Sequence, residues 1–569
     1  MSDQLGSFCL VLHAHLPYVL RHGTWPHGED WLFEAAAETY LPCLAMIDEC
    51  LFLNARPKIA IGLTPVLLEQ LAHDHFKRGF EHYLQDRSER AHADLKDFQQ
   101  QNNQHLSLLA QRWIDLYTQR LEQFRSMGRD IPGAFAQKAA ADHIEILTSS
   151  ATHGYLPLLY EDASVRAQIR AGLASSERLL GYRPRGLWLP ECAYRPHGQW
   201  QPPVNWTGKE NRIGLEHLVA DEGISHFFVE HHLIESSHSE QVYNDGQWWK
   251  VGWEEAAKYP NRGWGSVHEP HGVNSDGTGL SRVVAFGRDP QVCERVWSGT
   301  IGYPADGLYL EFHKQWGPKR GLRYWKVTNS DVDLADKHLY EPDRIVGKVH
   351  EHASHFIDTV KHRLEAYRER TGRAGIVVTC FDAELFGHWW HEGPTFLRDV
   401  MLSLSADPQV NLCTPAEYLE HHFVDKVVSL PEGSWGEQGD HRVWANEQVN
   451  WMWDIEYRCE SIFGRLCCEL PWSQNAMVRE LLEKAGRELL LLQASDWPFV
   501  IRRGQAVDYG IKRFMQHVAR FETLVELAEK VAGNSDYIGQ LNEVEQSEIR
   551  DADIHDVIFP DIDLGWWKM

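Results

Sequence analysis

The sequence predicts an α/β fold in which a parallel sheet, arranged as a barrel, precedes a helical domain. Short apolar runs typical of buried strands alternate with helical segments along most of the chain, as βα units around a parallel sheet do. Several of these runs end in polar residues, which is where parallel barrels place their active sites. From about residue 425 the runs give way to amphipathic helices.

The strands are predicted from apolar runs of suitable length. Two of the runs, the second and the last, continue into helices. The expected segments are 7–17, 59–71, 144–159, 186–194, 224–234, 375–387 and 410–422.

The remaining segments differ in composition from these runs. Residues 75–130 are rich in charge and glutamine with helical spacing of apolar residues, which predicts a helical insertion. Residues 236–282 are rich in Gly, Asn, Asp and Ser, and long loops of this kind often serve function. We therefore expect a barrel domain with a long active-site loop, a helical insertion, and a C-terminal helical domain that contributes aromatic loops to the active site. Their ranges are 1–74 with 136–424, 75–135, and 425–569.

The composition favours a neutral substrate. The chain has 569 residues and a formal net charge of −25, whereas a nucleic acid requires a basic binding face. The ten cysteines form no C-x-x-C pair, which predicts a reduced, cytoplasmic protein. No segment reaches the roughly 18 apolar residues of a membrane-spanning helix. We expect neither a nucleic-acid nor a membrane partner.

Two acids, Glu191 in WLPECAY and Asp382 in TCFDAE, each follow an apolar strand directly. Two carboxyls that converge on one cavity are the minimum for glycoside chemistry, one as nucleophile or base and the other, with a raised pKa, as acid. Either acid alone is more often an ordinary strand-end carboxylate that caps a helix or pairs with an arginine. Tryptophans flank both acids (Trp188, Trp389 and Trp390), and flat apolar rings beside polar groups suit a sugar.

His13 and His15 lie on the same face of the first predicted strand. This H-x-H pair could bind a metal if Asp382 or His153 supplied a third ligand. It could equally hydrogen-bond a sugar, or bond only to the backbone. The residues alone leave the three interpretations open.

Other candidates are ambiguous when taken singly. Arg288 and Asp289, in FGRD, form either a buried ion pair that fixes a loop or a substrate contact, and the ion pair is favoured. His388 alone is more often structural. Three tryptophans are either core or platforms for a sugar ring, with core favoured for each: Trp297, Trp435 and Trp444.

Four motifs in a fixed order carry a family resemblance. They are HAHLPYV (13–19), EILTSSATHGYLPLL (145–159), GLWLPECAY (186–194) and VTCFDAELFGHWWHEGP (378–394). With these motifs the chain resembles the conserved regions of glycoside hydrolase family 57, and within it the 1,4-α-glucan branching enzymes. The resemblance spans nearly the whole chain, supported by FGRD, VWSGTIGYPADGLYLEFH (296–313), SWGEQGDHRVWAN (434–446) and SDWPF (495–499).

The resemblance implies an incomplete (β/α)7 barrel with an inserted helical domain and a C-terminal α-helical domain. It implies a retaining mechanism without metal or other cofactor, with Glu191 as nucleophile and Asp382 as general acid/base. Donor and acceptor would both be α-1,4-glucan, and the family's mobile-loop tyrosine would be Tyr243 or Tyr259. Further contacts are implied for the donor sugar (His13, His15, His153, His388), for the acceptor side (Trp297, Trp435, Trp444), and elsewhere on the substrate (Trp188, Arg288, Trp389, Asp496).

Other activities remain open on the sequence. A 4-α-glucanotransferase or an α-amylase would use the same pair of acids. A metal-dependent deacetylase or mannosidase would use His13, His15 and Asp382 as ligands, and it would leave Glu191 without a role. A non-catalytic glucan-binding protein would not need Asp382. The expected oligomeric state is a monomer or a small homo-oligomer.

Overall fold

The computed structural model describes residues 4–206, 211–244, 246–250, 265–317, 321–329 and 331–568. Fourteen strands lie within these residues. In chain order they are β1 Gly6–Ala14, β2 Ile59–Leu63, β3 Ile144–Leu147, β4 Gly186–Leu187, β5 Gly198–Gln199, β6 Asn211–Arg212, β7 His226–Val229, β8 His238–Asn244, β9 Gln247–Lys250, β10 His271–Val273, β11 Val284–Gly287, β12 Gly375–Asp382, β13 Val410–Leu412 and β14 Lys426–Ser429.

Seven parallel strands form the wall of the barrel in the order β12-β1-β2-β3-β4-β7-β11. A bridge between Thr148 and Leu187 joins β3 to β4, and the other neighbours pair in register. In the described residues the two end strands, β11 and β12, do not pair as strands, although the Asp289 N–H donates to the Val378 carbonyl at 2.8 Å. The fold is therefore the α/β, incomplete (β/α)7 barrel that the resemblance implies.

Strand β1 lies inside this wall and is buried along its whole length. All nine of its residues are buried, and it pairs with β12, β2 and β13. A strand covered on both faces carries a continuous apolar run without alternation. The apolar run in the sequence therefore predicts the strand correctly.

Two strands are much shorter than the sequence predicts. The segment 144–159 forms a strand only over Ile144–Leu147, and 186–194 only over Gly186–Leu187. Beyond them the chain turns, and His153 and Glu191 adopt left-handed backbone angles, with φ of 58° and 61°. Such angles cost a non-glycine residue about 1–2 kcal/mol and are concentrated at functional sites.

The described helices surround the wall and form the C-terminal part. In chain order they are α1 Glu29–Ala35, α2 Leu41–Phe52, α3 Pro65–Ala72, α4 Asp74–Gln100, α5 Gln104–Ser126, α6 Ile131–Ala140, α7 Asp162–Leu180, α8 Leu215–Asp221, α9 His231–Glu235, α10 Pro290–Trp297, α11 Ile345–Thr371, α12 Gly393–Ala406, α13 Pro415–His421, α14 Asn450–Glu469, α15 Ala476–Leu492, α16 Asp496–Arg503, α17 Val507–Gly533 and α18 Glu543–His555.

The predicted helical regions contain long helices. Helices α4 and α5 occupy most of the predicted insertion, and α14 to α18 occupy the C-terminal part, whereas β14 belongs to a sheet with β10 and β8. The domain boundaries themselves stay predictions. In the described residues no helix is long and apolar enough to cross a membrane.

The segment 236–282 contains a hairpin, β8–β9, and strand β10, where the sequence predicts one long loop. β8 pairs with β14, and β9 pairs with β8. Residues 245 and 251–264, which include Tyr259, lie outside the described residues.

Tyr243 on this hairpin lies far from the strand ends that carry the candidate acids. Its N–H donates to the Asp425 carbonyl at 2.8 Å, and the Asp425 side chain pairs with Arg373 at 2.9 Å. Arg373 precedes β12, whose opposite end carries Asp382, and β12 is about 23 Å long at the usual rise per residue. In this structure Tyr243 therefore lies toward the opposite end of β12 from Asp382, and the choice between Tyr243 and Tyr259 as the mobile-loop tyrosine stays open.

Candidate active site

Both acids lie at the carboxyl ends of barrel strands. Asp382 ends β12 and is level with His13 of β1, and Glu191 lies in a short turn, Pro190–Cys192, after β4. The carboxyl ends of parallel strands meet at one edge. The two carboxyls are close enough that the charge of Asp382 raises the pKa of Glu191.

Trp435 holds the Glu191 carboxyl. The Trp435 backbone N–H donates to the Glu191 carbonyl at 3.0 Å, and its indole Nε1 donates to Glu191 Oε2 at 2.6 Å. Glu191 Oε1 lies 3.8 Å from His153 Nδ1, and the side chain keeps 16 % of its surface exposed. Glu191 is therefore fixed in orientation and still open to a ligand.

Burial raises the pKa of both carboxyls. It raises the pKa of Glu191 to about 8, where the charge of Asp382 adds to the effect and the Trp435 indole N–H opposes it. It raises the pKa of Asp382 to about 6, against the opposing charges of His15 and Arg288. Interacting carboxyls titrate as a pair. Between pH about 6 and about 8 the pair holds one proton, which provides one acid and one carboxylate.

Three histidines stack beside the carboxyls on a buried tryptophan. The rings of His15 and His153 lie 4.0 Å apart, and His13 stacks on Trp188 at 4.5 Å. Burial lowers the pKa of His13 and of His153 well below the ordinary value, so their neutral rings can share the 3.0 Å bond between their Nε2 atoms. His13, His153 and Trp188 are at most 2 % exposed. They support His15, the more open member of the stack.

The C-terminal helices supply two polar groups to this stack. Asp496, the first residue of α16, lies 3.0 Å from His15 Nε2, and Thr64 Oγ1 lies 3.1 Å from His15 Nδ1. Ser495 Oγ lies 2.8 Å from His153 Nδ1. His15 is thus held on both ring nitrogens. The substrate contact predicted for Asp496 stays a prediction, and in this structure its carboxylate bonds His15.

His388 belongs to a second polar cluster with Glu38 and Arg323. His388 Nδ1 lies 2.9 Å from Glu38 Oε2, and Arg323 Nη2 lies 2.9 Å from Glu38 Oε1. Burial alone would raise the pKa of Glu38, but Arg323 and His388 lower it to about 2. The resulting fixed carboxylate holds His388 in one orientation.

Trp389, next in the chain, is open to solvent. It is 47 % exposed and stacks on Phe312 with ring centroids 4.3 Å apart. Trp390 is 1 % exposed and belongs to the core. Of the two neighbouring indoles, only Trp389 presents a face to a sugar ring.

Arg288 does not pair with its neighbour Asp289, contrary to the favoured prediction. Arg288 Nη2 lies 2.7 Å from Glu230 Oε2, whereas Asp289 Oδ2 lies 2.9 Å from Arg363 Nε. The two side chains of FGRD leave β11 toward different partners. The Arg288 guanidinium also lies 5.8 Å from the Trp435 ring, which places Arg288 beside the catalytic candidates.

The three tryptophans predicted for the acceptor side occupy different environments. Trp297 and Trp435 are partly buried, and their rings meet edge-on at 5.6 Å. Trp444 is 1 % exposed and stacks on Tyr155 at 4.5 Å. Trp444 is therefore buried in the core, the environment that its residue type alone favours, and its place on the acceptor side stays a prediction.

The residues proposed for a metal-dependent alternative do not converge. His13 Nε2 is bonded to His153, and His15 Nε2 to Asp496. In the described part of the chain, the grouping of three possible ligands with metal-like spacing lies elsewhere, in the C-terminal helices, at Glu488, His517 and Asp556. The geometry therefore does not favour His13, His15 and Asp382 as a ligand set.

Comparison with known proteins places this site in a family. The model of "Glycosyl hydrolase family 57" matches residues 9–262, and that of "1,4-alpha-glucan branching enzyme, C-terminal" matches residues 457–567. A 1,4-alpha-glucan branching enzyme from Thermococcus kodakarensis is 36 % identical over 545 residues, which cover 95 % of this chain and 77 % of the relative. The chain belongs to glycosyl hydrolase family 57.

Other relatives are similar over nearly their full length. A probable 1,4-alpha-glucan branching enzyme from Mycobacterium tuberculosis is 31 % identical, covering 95 % of both chains. The crystal structure of a GH57-type branching enzyme from Pyrococcus horikoshii superposes with a TM-score of 0.87 at 34 % identity, covering 100 % of this chain and 97 % of that one. An α-amylase from Thermotoga maritima superposes with a TM-score of 0.80 at 26 % identity, covering 99 % of both. The resemblance drawn from the motifs is confirmed.

The family 57 site in this chain contains a third buried acid that the sequence analysis missed. Glu384 follows Asp382 by two residues. It accepts hydrogen bonds from the Tyr40 hydroxyl at 2.6 Å and from the His15 N–H at 3.2 Å. Burial raises its pKa to about 8. Glu384 could have been found from the sequence, because it is the last residue of the CFDAE motif. Tyr40, Glu38 and Arg323 lie in segments without a recognisable motif.

We expect Trp435→Phe to lower kcat by about 10- to 100-fold at neutral pH. The substitution removes the indole donor to Glu191 Oε2, and a lost hydrogen bond to a charged group is worth about 1.5–3 kcal/mol. Without that donor the pKa of Glu191 rises above about 8, so the acid limb of the pH profile moves to higher pH. Steady-state rates across pH 5–9 measure both effects.

Trp444→Phe is the matched control for this substitution. The Trp444 indole nitrogen is buried and lacks a hydrogen-bond partner in the described residues, so the change removes a similar volume without removing a bond to the site. We expect a lower melting temperature and an unshifted pH profile. A Trp435→Phe profile identical in shape to wild type would contradict the role of the indole.

Proposed function

We propose that this protein is a 1,4-α-glucan branching enzyme. It would cleave an α-1,4 bond, retain the anomeric configuration, and transfer the released chain to the 6-hydroxyl of a glucan. The observation that carries the proposal is the pair of coupled carboxyls, Glu191 and Asp382, at one edge of the barrel. Relatives that match 95 % of this chain are named branching enzymes.

The first half of the reaction breaks the donor bond. Asp382, protonated, gives its proton to the glycosidic oxygen, and the Glu191 carboxylate attacks the anomeric carbon. The departing chain leaves with a free 4-hydroxyl, and the donor chain stays bound as a glycosyl ester of Glu191. Retention by this route requires the two carboxyls to lie about 5–5.5 Å apart.

The second half transfers the chain. Asp382, now ionised, takes the proton of an acceptor 6-hydroxyl, whose oxygen attacks the anomeric carbon and releases the Glu191 carboxylate. Water would give hydrolysis by the same step, so branching depends on excluding water and holding a second glucan. The exposed face of Trp389 on Phe312, and the partly buried Trp297 beside Trp435, are the surfaces proposed to hold glucan rings.

The assignment of the two roles follows the motifs and not the order of the pKa values. In the unliganded protein the pKa of Glu191, about 8, exceeds that of Asp382, about 6. These values describe a pair that shares one proton. The reactive form carries that proton on Asp382, and the Trp435 indole N–H stabilises the Glu191 anion in that form.

A second candidate is a hydrolase that uses the same pair. The α-amylase from Thermotoga maritima matches the chain with a TM-score of 0.80, and the first half-reaction would be identical. Branching is preferred because the more similar relatives and the matched C-terminal family model are named for branching. A neutral glucan also agrees with the acidic net charge of −25.

The remaining properties are proposed with this function. All ten cysteines are free and nine are buried, which suits a reduced cytoplasm. The proposed partner is α-1,4-glucan as donor and acceptor, with the protein acting as a monomer or small homo-oligomer. The proposed division is a barrel (1–74 and 136–424), an insertion (75–135) and a C-terminal helical domain (425–569).

Incubation with amylose is expected to remove iodine colour while few reducing ends appear. Transfer shortens the linear stretches that bind iodine and conserves the number of reducing ends, whereas hydrolysis adds one reducing end for each bond cleaved. Proton NMR of the product should show new α-1,6 linkages. Reducing ends that rise in step with colour loss, without α-1,6 signals, would assign the α-amylase activity instead.

A further inference from the structure

A cavity of about 480 Å³ lies between the segment that follows β1 and the C-terminal helices. Its walls are residues 21–27, one face of α17, and the end of α18. None of the residues assigned to the active site above lines it. Its size is within the range of about 300–1,000 Å³ that is usual for small-molecule sites.

The cavity collects positive charge. Arg21 and Lys512 line it without a carboxylate within ion-pair distance in the described residues, and Arg513 lines it at 1 % exposure. Arg520 is neutralised by Asp556. The one acidic residue among the described lining residues is Asp551, whose side chain is 41 % exposed and lies 4.0 Å from His555 Nδ1. The lining therefore carries an excess of cations in a chain that is acidic overall.

Buried polar atoms at this cavity lack partners. Arg513 uses both terminal nitrogens, on the Tyr18 carbonyl at 2.7 Å and on His517 Nε2 at 2.8 Å, but its Nε has no partner in the described residues. His27 Nδ1 is likewise buried and unpartnered. The carboxylate of Glu488 reaches Arg513 through His517, whose Nδ1 lies 2.7 Å from Glu488 Oε2, and no carboxylate bonds the guanidinium directly in the described residues.

Aromatic rings border the same space. The Tyr509 ring lies 5.8 Å from His27 and 5.6 Å from Trp31. A cavity of this volume holds more than an inorganic oxyanion, and ring faces beside cations suit a sugar that carries a phosphate group. We propose that this cavity binds the phosphate group of a phosphorylated sugar, with Arg21, Lys512 and Arg513 as its cationic contacts.

Arg513 connects this cavity to the stacked histidines of the active site. Arg513 holds the carbonyl of Tyr18, three residues after His15, and its guanidinium lies 5.3 Å from the ring of Trp497, the residue after Asp496. Arg513 itself thus contacts both chain segments that carry the His15–Asp496 bond. The phosphate could come from a free sugar phosphate or from an ester on a glucan chain, since both present the same group.

Calorimetry of the full chain with glucose 6-phosphate, inorganic phosphate and glucose at constant ionic strength tests the proposal. We expect glucose 6-phosphate to bind with a Kd below about 1 mM and more tightly than inorganic phosphate. Arg21→Gln and Lys512→Gln should each raise that Kd about tenfold, since each removes one charge-assisted contact. Glucose binding should not change in either variant. Both side chains reach the surface, so folding is retained, and melting temperatures check this.

Lys96→Gln is the matched control, because it removes one exposed positive charge on α4 and should leave the Kd unchanged. A phosphorylated maltodextrin that binds more tightly than glucose 6-phosphate assigns the site to chain-borne phosphate, and the reverse assigns it to a free sugar phosphate.

The proposal is overturned if glucose 6-phosphate gives no heat up to about 10 mM. It is also overturned if the Arg21 and Lys512 variants bind like Lys96→Gln, or if inorganic phosphate binds as tightly as the sugar phosphate. Binding is measured without reference to branching, so failure here leaves the proposed function untouched.

Discussion

Glu191→Gln is expected to lower kcat on amylose by roughly 10⁴-fold or more while the fold is kept. The amide cannot form a glycosyl ester, and loss of a covalent nucleophile is among the largest single effects in enzymes. The amide oxygen can still accept the hydrogen bond from the Trp435 indole, which is 2.6 Å long in the wild type. The neighbouring side chains therefore keep their arrangement.

Stability gives this variant a second signature. Burial raises the pKa of Glu191 from an ordinary value of 4.5 to about 8, so the unfolded carboxyl ionises first as pH rises. Wild-type stability from this group is present below pH 4.5 and is lost between about 4.5 and 8. Glutamine does not titrate. The melting temperature of Glu191→Gln relative to wild type should therefore increase as pH rises through that window.

Glu392→Gln is the control for burial of an acid as such. Glu392 is 3 % exposed, its pKa is raised to about 7 by burial, and it accepts the Tyr340 hydroxyl at 2.6 Å. We expect the rate to fall less than about tenfold. Glu191→Gln that keeps more than about one per cent of wild-type activity would disprove the nucleophile assignment, since no other group replaces a covalent nucleophile at that level.

The barrel and the placement of its acids could be predicted because they depend on local patterns. A strand covered on both faces must be apolar throughout, as β1 is, and polar residues that follow such strands must gather at one edge. Glu191 and Asp382 could therefore be selected before any contact was known. The H-x-H spacing had already singled out His15, and the motif match added Asp496, which lies 481 residues away and is bonded to His15 at 3.0 Å.

The rest of the site depends on contacts that no local pattern encodes. Glu38 lies in a short π-helical stretch, Ala36–Tyr40, and meets Arg323 and His388 only in the folded chain. The burial of Trp444 depends on Tyr155, almost 300 residues away, which covers one of its faces. Both indoles lie in the same polar, loop-like segment, SWGEQGDHRVWAN, so the sequence alone could not separate the buried Trp444 from the more open Trp435.

Pairing preferences explain the incorrect partner for Arg288. Adjacent residues at a strand end point to different faces, so an Arg–Asp neighbour pair such as Arg288–Asp289 seldom forms its own ion pair. Asp289 instead caps α10, accepting from the backbone N–H groups of Gln291 and Val292. Glu230, at the end of the adjacent strand β7, then takes Arg288. The ion-pair partner of Arg288 is therefore the residue at the end of the adjacent strand and not the next residue in the chain.

Asp382→Asn should separate the two halves of the reaction. With amylose the rate is expected to fall by about 10²- to 10⁴-fold, because the departing sugar oxygen is no longer protonated. An α-maltosyl fluoride donor needs no such proton, so formation of the glycosyl ester on Glu191 should continue at a rate much nearer to wild type. The second half lacks its base, and the ester should accumulate.

Mass spectrometry of the intact protein and of the peptide that contains Glu191 measures that accumulation. A mass increase equal to one maltosyl group in Asp382→Asn, absent from the double variant Glu191→Gln/Asp382→Asn, assigns both roles in one experiment. If the roles were reversed, the adduct would appear on Asp382 in Glu191→Gln and never on Glu191. Equal slowing on amylose and on the fluoride, without an adduct, would mean that Asp382 only positions the substrate. The experiment therefore tests the motif-based order of roles independently of the pKa order, which by itself would assign the proton to Glu191.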